Sequence, residues 1–220
     1  MAASPRIPEP LQGPAWMLLS CAAFVTIWVL VRILSGTLHP FVLVFYRTLF
    51  AIVAFLPFVL RHGKAAFATT HLPLHIFRGV LSFVATLGIF YSVAHIPLEE
   101  AVAISYAAPV FAALGAILIL KEKVRWRRMA AVAAGLAGVL LILRPGFREL
   151  TPGVLAALIG ALAIAGSLVV IKRLTTFDRP EAIALYALLV VLPGSLMAAF
   201  PFWTWPSLSA LPLLVLIGIL

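Results

Sequence analysis

The stretch PFVLVFYRTLFAIVAFLPFVL, residues 40–60, decides the fold. It holds a single charged residue, Arg47, and its apolar residues run around every side of a helix instead of forming one stripe. A helix of that length rises about 30 Å, the thickness of the hydrocarbon layer of a bilayer. Working outward, runs of the same kind recur at Pro14 to Leu34, Pro73 to Ala94, Leu98 to Leu120, Arg128 to Leu143, Pro152 to Ile171 and Pro180 to Phe200, and a shorter one at Leu208 to Leu220. The expected fold is therefore all-α: a polytopic membrane helix bundle with seven full spans and a partial eighth.

Composition agrees with that reading. Of 220 residues 64% are apolar and 10% charged, with a mean hydropathy of +1.18. Soluble domains are about half apolar and about a quarter charged, so a cytosolic enzyme, a disordered regulator and a nucleic-acid binder are all excluded. The net charge of +9 sits in the short gaps between apolar runs, where lipid headgroups are the expected partner. Ser35-Gly36, His62-Gly63, Arg144-Pro145-Gly146 and Thr151-Pro152-Gly153 punctuate those gaps. The first run is too long for a cleavable signal peptide and lacks a basic flank. The one cysteine, Cys21, lies inside an apolar run and has no internal disulfide partner.

Basic residues set the expected orientation. With the N-terminus in the cytoplasm, eleven Lys and Arg fall on the inside: Arg6, Arg61, Lys64, Lys121, Lys123, Arg125, Arg127, Arg128, Lys172, Arg173 and Arg179. Three, Arg32, Arg144 and Arg148, fall outside. Phe202, Trp203 and Trp205, bracketed by Pro201 and Pro206, then read as an aromatic anchor at the outer interface.

A shift of 140 residues brings Gly13 onto Gly153, Arg32 onto Lys172, Pro40 onto Pro180 and Tyr46 onto Tyr186, at corresponding places in loop and span. A repeat of five spans is odd in number, so its second copy is inverted in the membrane, the design of secondary transporters. The chain then divides into an N-terminal tail (1–13), a first five-helix unit (14–146) and the beginning of a second (152–220).

Polar groups within the hydrocarbon mark function, because each is expensive there. Arg47 falls near the midplane, and no Asp or Glu lies in any span core to neutralise it. Two readings stand: an arginine that meets the anionic part of a cargo in a wet cavity, or a structural arginine bonded to backbone carbonyls or to a group outside this sequence. Tyr46, Ser82, Thr86 and Tyr106 are its expected neighbours. Arg78, Ser82 and Thr86 recur every four residues and form one polar stripe, which should face the bundle interior, with Arg78 near enough to the inner end to snorkel. Ser105-Tyr106-Ala107-Ala108-Pro109 places a helix-kinking proline mid-span, freeing carbonyls for a ligand or water. Tyr186, the repeat partner of Tyr46, completes the candidate set. Ala131 with Gly135 and Ala134 with Gly138 have the spacing of close helix contacts, within the chain or in a homodimer.

Constellations for catalysis are poor. His71 and His75 have the i, i+4 spacing of a helical metal pair, but no glutamate lies between them, Pro73 does, and no third ligand is evident; they read as interfacial residues. Gly166-Ser167 and Gly194-Ser195 lack a nucleophile-elbow pattern, and no phosphate-binding glycine loop is present. No metal site, cofactor or catalytic residue is expected. Without a mid-membrane carboxylate, exchange or facilitated diffusion is a better expectation than proton coupling.

The run Ile104 to Pro109 through Leu120-Lys121-Glu122-Lys123 to Leu143-Arg144-Pro145-Gly146 resembles the end of an EamA unit of the drug/metabolite transporter superfamily. Tyr46-Arg47-Thr48-Leu49-Phe50 and Phe77-Arg78-Gly79 resemble that unit's second and third helices. The resemblance implies ten helices in two inverted units in a bacterial inner membrane, a central cavity, and transport of a small metabolite or drug-like solute. Against that pattern the second unit stops short, so a shortened, poorly transporting chain is an expectation. A membrane enzyme acting on a lipid-linked substrate and a non-transporting remnant are the alternatives.

Overall fold

The computed structural model describes residues 9–119, 126–143 and 150–220, and these are helical with short connections. The helices are α1 (Glu9–Leu34), α2 (Pro40–His62), α3 (Leu72–His95), α4 (Leu98–Ser105), α5 (Ala107–Ile119), α6 (Trp126–Leu143), α7 (Pro152–Leu174), α8 (Pro180–Ala199) and α9 (Leu211–Ile219). Among the described residues six segments are long and apolar enough to cross a membrane: α1 from Gly13, α2, α3, α4 with α5, α7, and α8 through Phe202. The expected run Arg128 to Leu143 forms α6, of 18 residues, and the run from Leu208 gives α9, of nine. Helix α1 begins at Glu9, inside the segment expected to be tail. The loop at Arg144-Pro145-Gly146 and the basic residues Lys121, Lys123 and Arg125 lie outside the described residues.

Local chemistry accounts for the boundaries. Pro40, Pro73, Pro152 and Pro180 open their helices, where the missing N–H has no intrahelical partner to lose. Thr151 caps α7 by accepting from the Val154 N–H at 3.3 Å, and His39 Nδ1 accepts from the Phe41 N–H at 3.4 Å at the head of α2. Gly63, at φ +53°, ends α2 in a conformation that a side chain disfavours. The expected kink is present: α4 stops at Ser105, four residues before Pro109, whose ring displaces that carbonyl.

Helix α3 is central, packed most extensively on α7 and then on α8, α2 and α1. It runs antiparallel to α7 at glycine distance, since a Cβ on Gly88 would lie 2.6 Å from the Ala156 carbonyl oxygen and one on Gly160 3.1 Å from Ile89. Of the small residues on α6, Gly135 packs against Val110 of α5, while Gly138 faces open space. The apolar core gathers Val31, Leu43, Val93, Ile104, Leu214 and Ile217. The outside carries large exposed apolar side chains such as Trp16, Leu18, Leu60 and Met197, the surface of a protein whose solvent is lipid.

The α1–α2 and α7–α8 connections adopt one and the same turn. Ser35 N–H donates to Val31 O at 2.9 Å as Thr175 N–H does to Ile171 O at 2.9 Å. Leu38 N–H donates to Leu34 O at 2.9 Å as Asp178 N–H does to Leu174 O at 2.9 Å. The helices that follow, α3 and α9, open on Leu72-Pro73-Leu74-His75 and Leu211-Pro212-Leu213-Leu214, and the fourth residue of each is fully buried. The two turns lie at opposite ends of α3: Arg32 Nη1, at the foot of the first, donates to the carbonyls of Val93 (2.7 Å) and Ile96 (3.0 Å), whereas Asp178 of the second meets His75.

Candidate functional site

Arg47 sits in the middle of α2 with its guanidinium carbon 5.8 Å from the centroid of the Phe90 ring on α3. Its Nε is buried and has no hydrogen-bond partner, and no carboxylate among the described residues pairs with it. The carbonyls that could have made it a structural arginine are not used by Nε, so the side chain keeps donor capacity. Arg47 also lies where two cavities meet. One, of about 170 Å³, lies among α1, α2, α3 and α7 and is lined by Phe24, Trp28, Thr86, Phe90 and Ile164. The other, of about 520 Å³, opens between α1 and α9 and is lined by Trp16, Ser20, Thr26 and Ile219; Phe24, Ile27 and Arg47 border both.

The polar stripe of α3 faces its neighbours within the bundle, but its three members do different things. Thr86 Oγ1 donates to Ser82 O at 2.8 Å and lines the smaller cavity with Arg47. Ser82 Oγ lies 3.4 Å from Ser167 Oγ of α7. Arg78 does not snorkel to the end of the bundle; its Nη1 donates to Ile183 O of α8 at 3.0 Å, and its buried Nε is unpartnered. Of the expected neighbours, Thr86 shares a cavity with Arg47. Tyr46 is buried against Phe45, Phe50 and Trp203, so it holds α2 to the segment after α8. Tyr106, at the α4–α5 break, is 72% exposed, and Ser105 Oγ bonds its own helix at Val102 O. Tyr186 donates its hydroxyl proton to Phe67 O at 2.9 Å, at the far end of α3.

That end holds the residues that sequence reading missed. His75, one turn into α3 and fully buried, has Nε2 at 2.8 Å from Asp178 Oδ2; Thr69 Oγ1 donates to the same oxygen at 2.8 Å, and the His75 ring lies 4.6 Å from that of Tyr186. Burial raises the Asp178 carboxyl, but its hydrogen bonds from His75 and Thr69 and the charges of His75 and His71 outweigh that and hold it below the usual carboxylate value. A depressed acid contributes its stabilisation above that usual value, so the contact survives all physiological pH and is lost in strong acid. His71 is turned elsewhere, stacked on Phe177 at 4.2 Å with its N–H on Thr69 Oγ1. The signal for this cluster was His75 itself, an imidazole inside an apolar run, which on burial demands a polar partner. At the opposite end Phe202 stacks on His39 at 3.9 Å, Trp203 packs on Phe45 and Tyr46, and Trp205 is exposed, so the expected anchor is divided between packing and surface.

Comparison with known proteins extends these observations. The EamA-like transporter family matches residues 11–144. An S-adenosylmethionine uptake transporter of Rickettsia prowazekii is 29% identical over 208 residues, covering 94% of this chain and 71% of that protein. A riboflavin transporter of Rhizobium johnstonii is 33% identical over 215 residues, covering 94% and 70%. A pseudopaline exporter of Pseudomonas aeruginosa is 27% identical over 201 residues, covering 86% and 69%. No solved structure matches the chain.

Proposed function

The chain belongs to the EamA-like transporter family and is a membrane transporter of small solutes rather than an enzyme, and on that premise we propose that it is a secondary carrier working by alternating access around the cavity at Arg47. The observation that carries this reading is the unpartnered Arg47 Nε at the meeting of two cavities beside Phe24, Trp28 and Phe90. A guanidinium presents a planar fork to a carboxylate, and aromatic faces take a flat ring. The cargo we infer is a solute with a heteroaromatic ring and a polar or anionic tail. S-adenosylmethionine, an adenine nucleoside whose polar tail carries an α-carboxylate beside an ammonium and a sulfonium, and riboflavin, a flavin with a hydroxylated chain, both have such a ring and a polar tail.

Size bears on the site. The smaller cavity, of about 170 Å³, is below the roughly 300–1,000 Å³ of small-molecule sites, whereas the adjoining cavity of about 520 Å³ is within that range. The matching turns at opposite ends of α3 support an inverted pair, α1–α2–α3 against α7–α8–α9, and thus two states open to opposite sides. The basic residues Arg61, Lys172, Arg173 and Arg179 favour a cytoplasmic location for the end that bears the 63–71 and 175–179 connections, and with it a cytoplasmic N-terminus.

Uptake of radiolabelled S-adenosylmethionine and of riboflavin into proteoliposomes holding the purified chain tests the proposal. Saturable, protein-dependent uptake of either, lowered in Arg47→Ala, is the expected result; uptake equal to that of empty liposomes for both would contradict it.

A further inference from the structure

The end of the bundle that holds the 63–71 and 175–179 connections carries a cavity of about 510 Å³, separate from those at Arg47. It lies between the head of α3 and the foot of α7, and its lining changes in kind along the helices. Arg173, Thr70 and His71 stand at the end of the bundle, with Phe177 stacked on His71, whereas Leu74 and Phe77 stand deeper, towards the hydrocarbon. Arg173 reaches the groove because it lies two turns beyond Gly166, where a Cβ would be 3.3 Å from Leu81, so both positions share the side of α7 that faces α3. Its guanidinium is exposed and makes no hydrogen bond or ion pair with any described residue. Asp178, five residues on, is turned away from it into contacts with His75 and Thr69. His71 Nδ1 lies 2.8 Å from Thr70 Oγ1; with that hydroxyl donating, the ring proton sits on Nε2, a donor with no partner among the described residues. Below these donors Phe77 is 54% exposed, and Ile76 and Val80 carry the apolar surface on to the outside of α3.

We propose that this groove binds one anionic phospholipid of the adjoining leaflet, with its phosphate on Arg173 and His71 Nε2 and an acyl chain along Leu74 and Phe77. Charge complementarity sets the sign of the headgroup. The lining holds a guanidinium and no carboxylate, so the ammonium of a zwitterionic lipid meets no counter-charge there. The apolar half sets the source of the phosphate. A free phosphate ion would occupy the basic rim and leave Leu74 and Phe77 facing water, whereas a lipid covers both parts at once. A lipid seated there joins the head of α3 to the foot of α7. The inference stands apart from the carrier reading and from the cavities at Arg47.

The test is native mass spectrometry of the full chain, purified in detergent and freed of lipid. Dioleoylphosphatidylglycerol is the probe, and dioleoylphosphatidylcholine, with the same chains, is its control. One phosphatidylglycerol should be retained, about fivefold more tightly than phosphatidylcholine. Arg173→Gln should remove that preference, and Arg179→Gln, which changes an exposed arginine at the same end outside the groove, should keep it. Phe77→Ala should weaken retention of both lipids several-fold. The three side chains are exposed, so size-exclusion profiles should match the parent. Equal retention of the two lipids by the parent, or the same loss in the Arg173 and Arg179 variants, would overturn the site. Release of bound phosphatidylglycerol by millimolar inorganic phosphate would also overturn it, by giving the groove to a soluble anion.

Discussion

At the scale of single residues, Arg47 bears the most testable consequence. Its Nε bonds to nothing within the chain, so truncation leaves no buried partner orphaned and folding should be preserved. Losing a charge-assisted hydrogen bond of about 1.5–3 kcal/mol to cargo should cut uptake by about tenfold to a hundredfold in Arg47→Ala. Arg47→Lys, which keeps the charge without the fork, should fall between. Uptake kinetics beside size-exclusion profiles check this, and equal loss of folded protein and of transport would assign the arginine to structure. His39 offers a pH-dependent case. Burial first, and the nearby His95 second, lower its pKa, and the neutral ring is what accepts the Phe41 N–H at the head of α2. A depressed histidine stabilises above its unfolded value of about 6.5, and that stabilisation is lost as pH falls through the folded value. The melting temperature should drop on acidification from about pH 8 to about pH 5.5, and His39→Asn, which caps through its side-chain oxygen, should drop by less.

At the scale of elements, the contact between α3 and α7 depends on the lack of side chains at Gly88 and Gly160. Gly88→Ala puts a methyl group 2.6 Å from a backbone oxygen that cannot turn aside, and should cost about 1–3 kcal/mol, read as a lowered melting temperature in detergent. Gly138→Ala, with nothing within 4 Å, should stay within about 0.5 kcal/mol of the parent. The elements themselves were legible in the sequence because hydrophobic length and proline punctuation are local properties: α2 and α8 begin at the prolines expected to begin them, and Pro109 breaks the α4–α5 span. What was not legible is which helix meets which. Nothing local joins His75 to Asp178, 103 residues apart, so Asp178 draws no notice in the sequence and His75 reads as an interfacial residue. Nor could spacing tell that Arg78 ends on Ile183 O whereas Arg47 ends in a cavity, since both are lone cations on apolar helices.

At the scale of the whole molecule, orientation and alternation are the claims. In cells, and with Cys21 replaced, an impermeant maleimide should leave Thr176→Cys unlabelled until the membrane is permeabilised, and should label Ser207→Cys at once, because the 175–179 connection lies at the basic end and the 203–210 connection at the other. Alternating access around Arg47 goes further, requiring that one site serve both faces in turn. Counterflow in proteoliposomes measures this: vesicles loaded with unlabelled solute and diluted into a trace of radiolabelled S-adenosylmethionine or riboflavin should accumulate label several-fold faster than unloaded ones, and Arg47→Ala should abolish the stimulation. Labelled uptake that is linear in concentration and indifferent to solute on the far side would contradict alternating access.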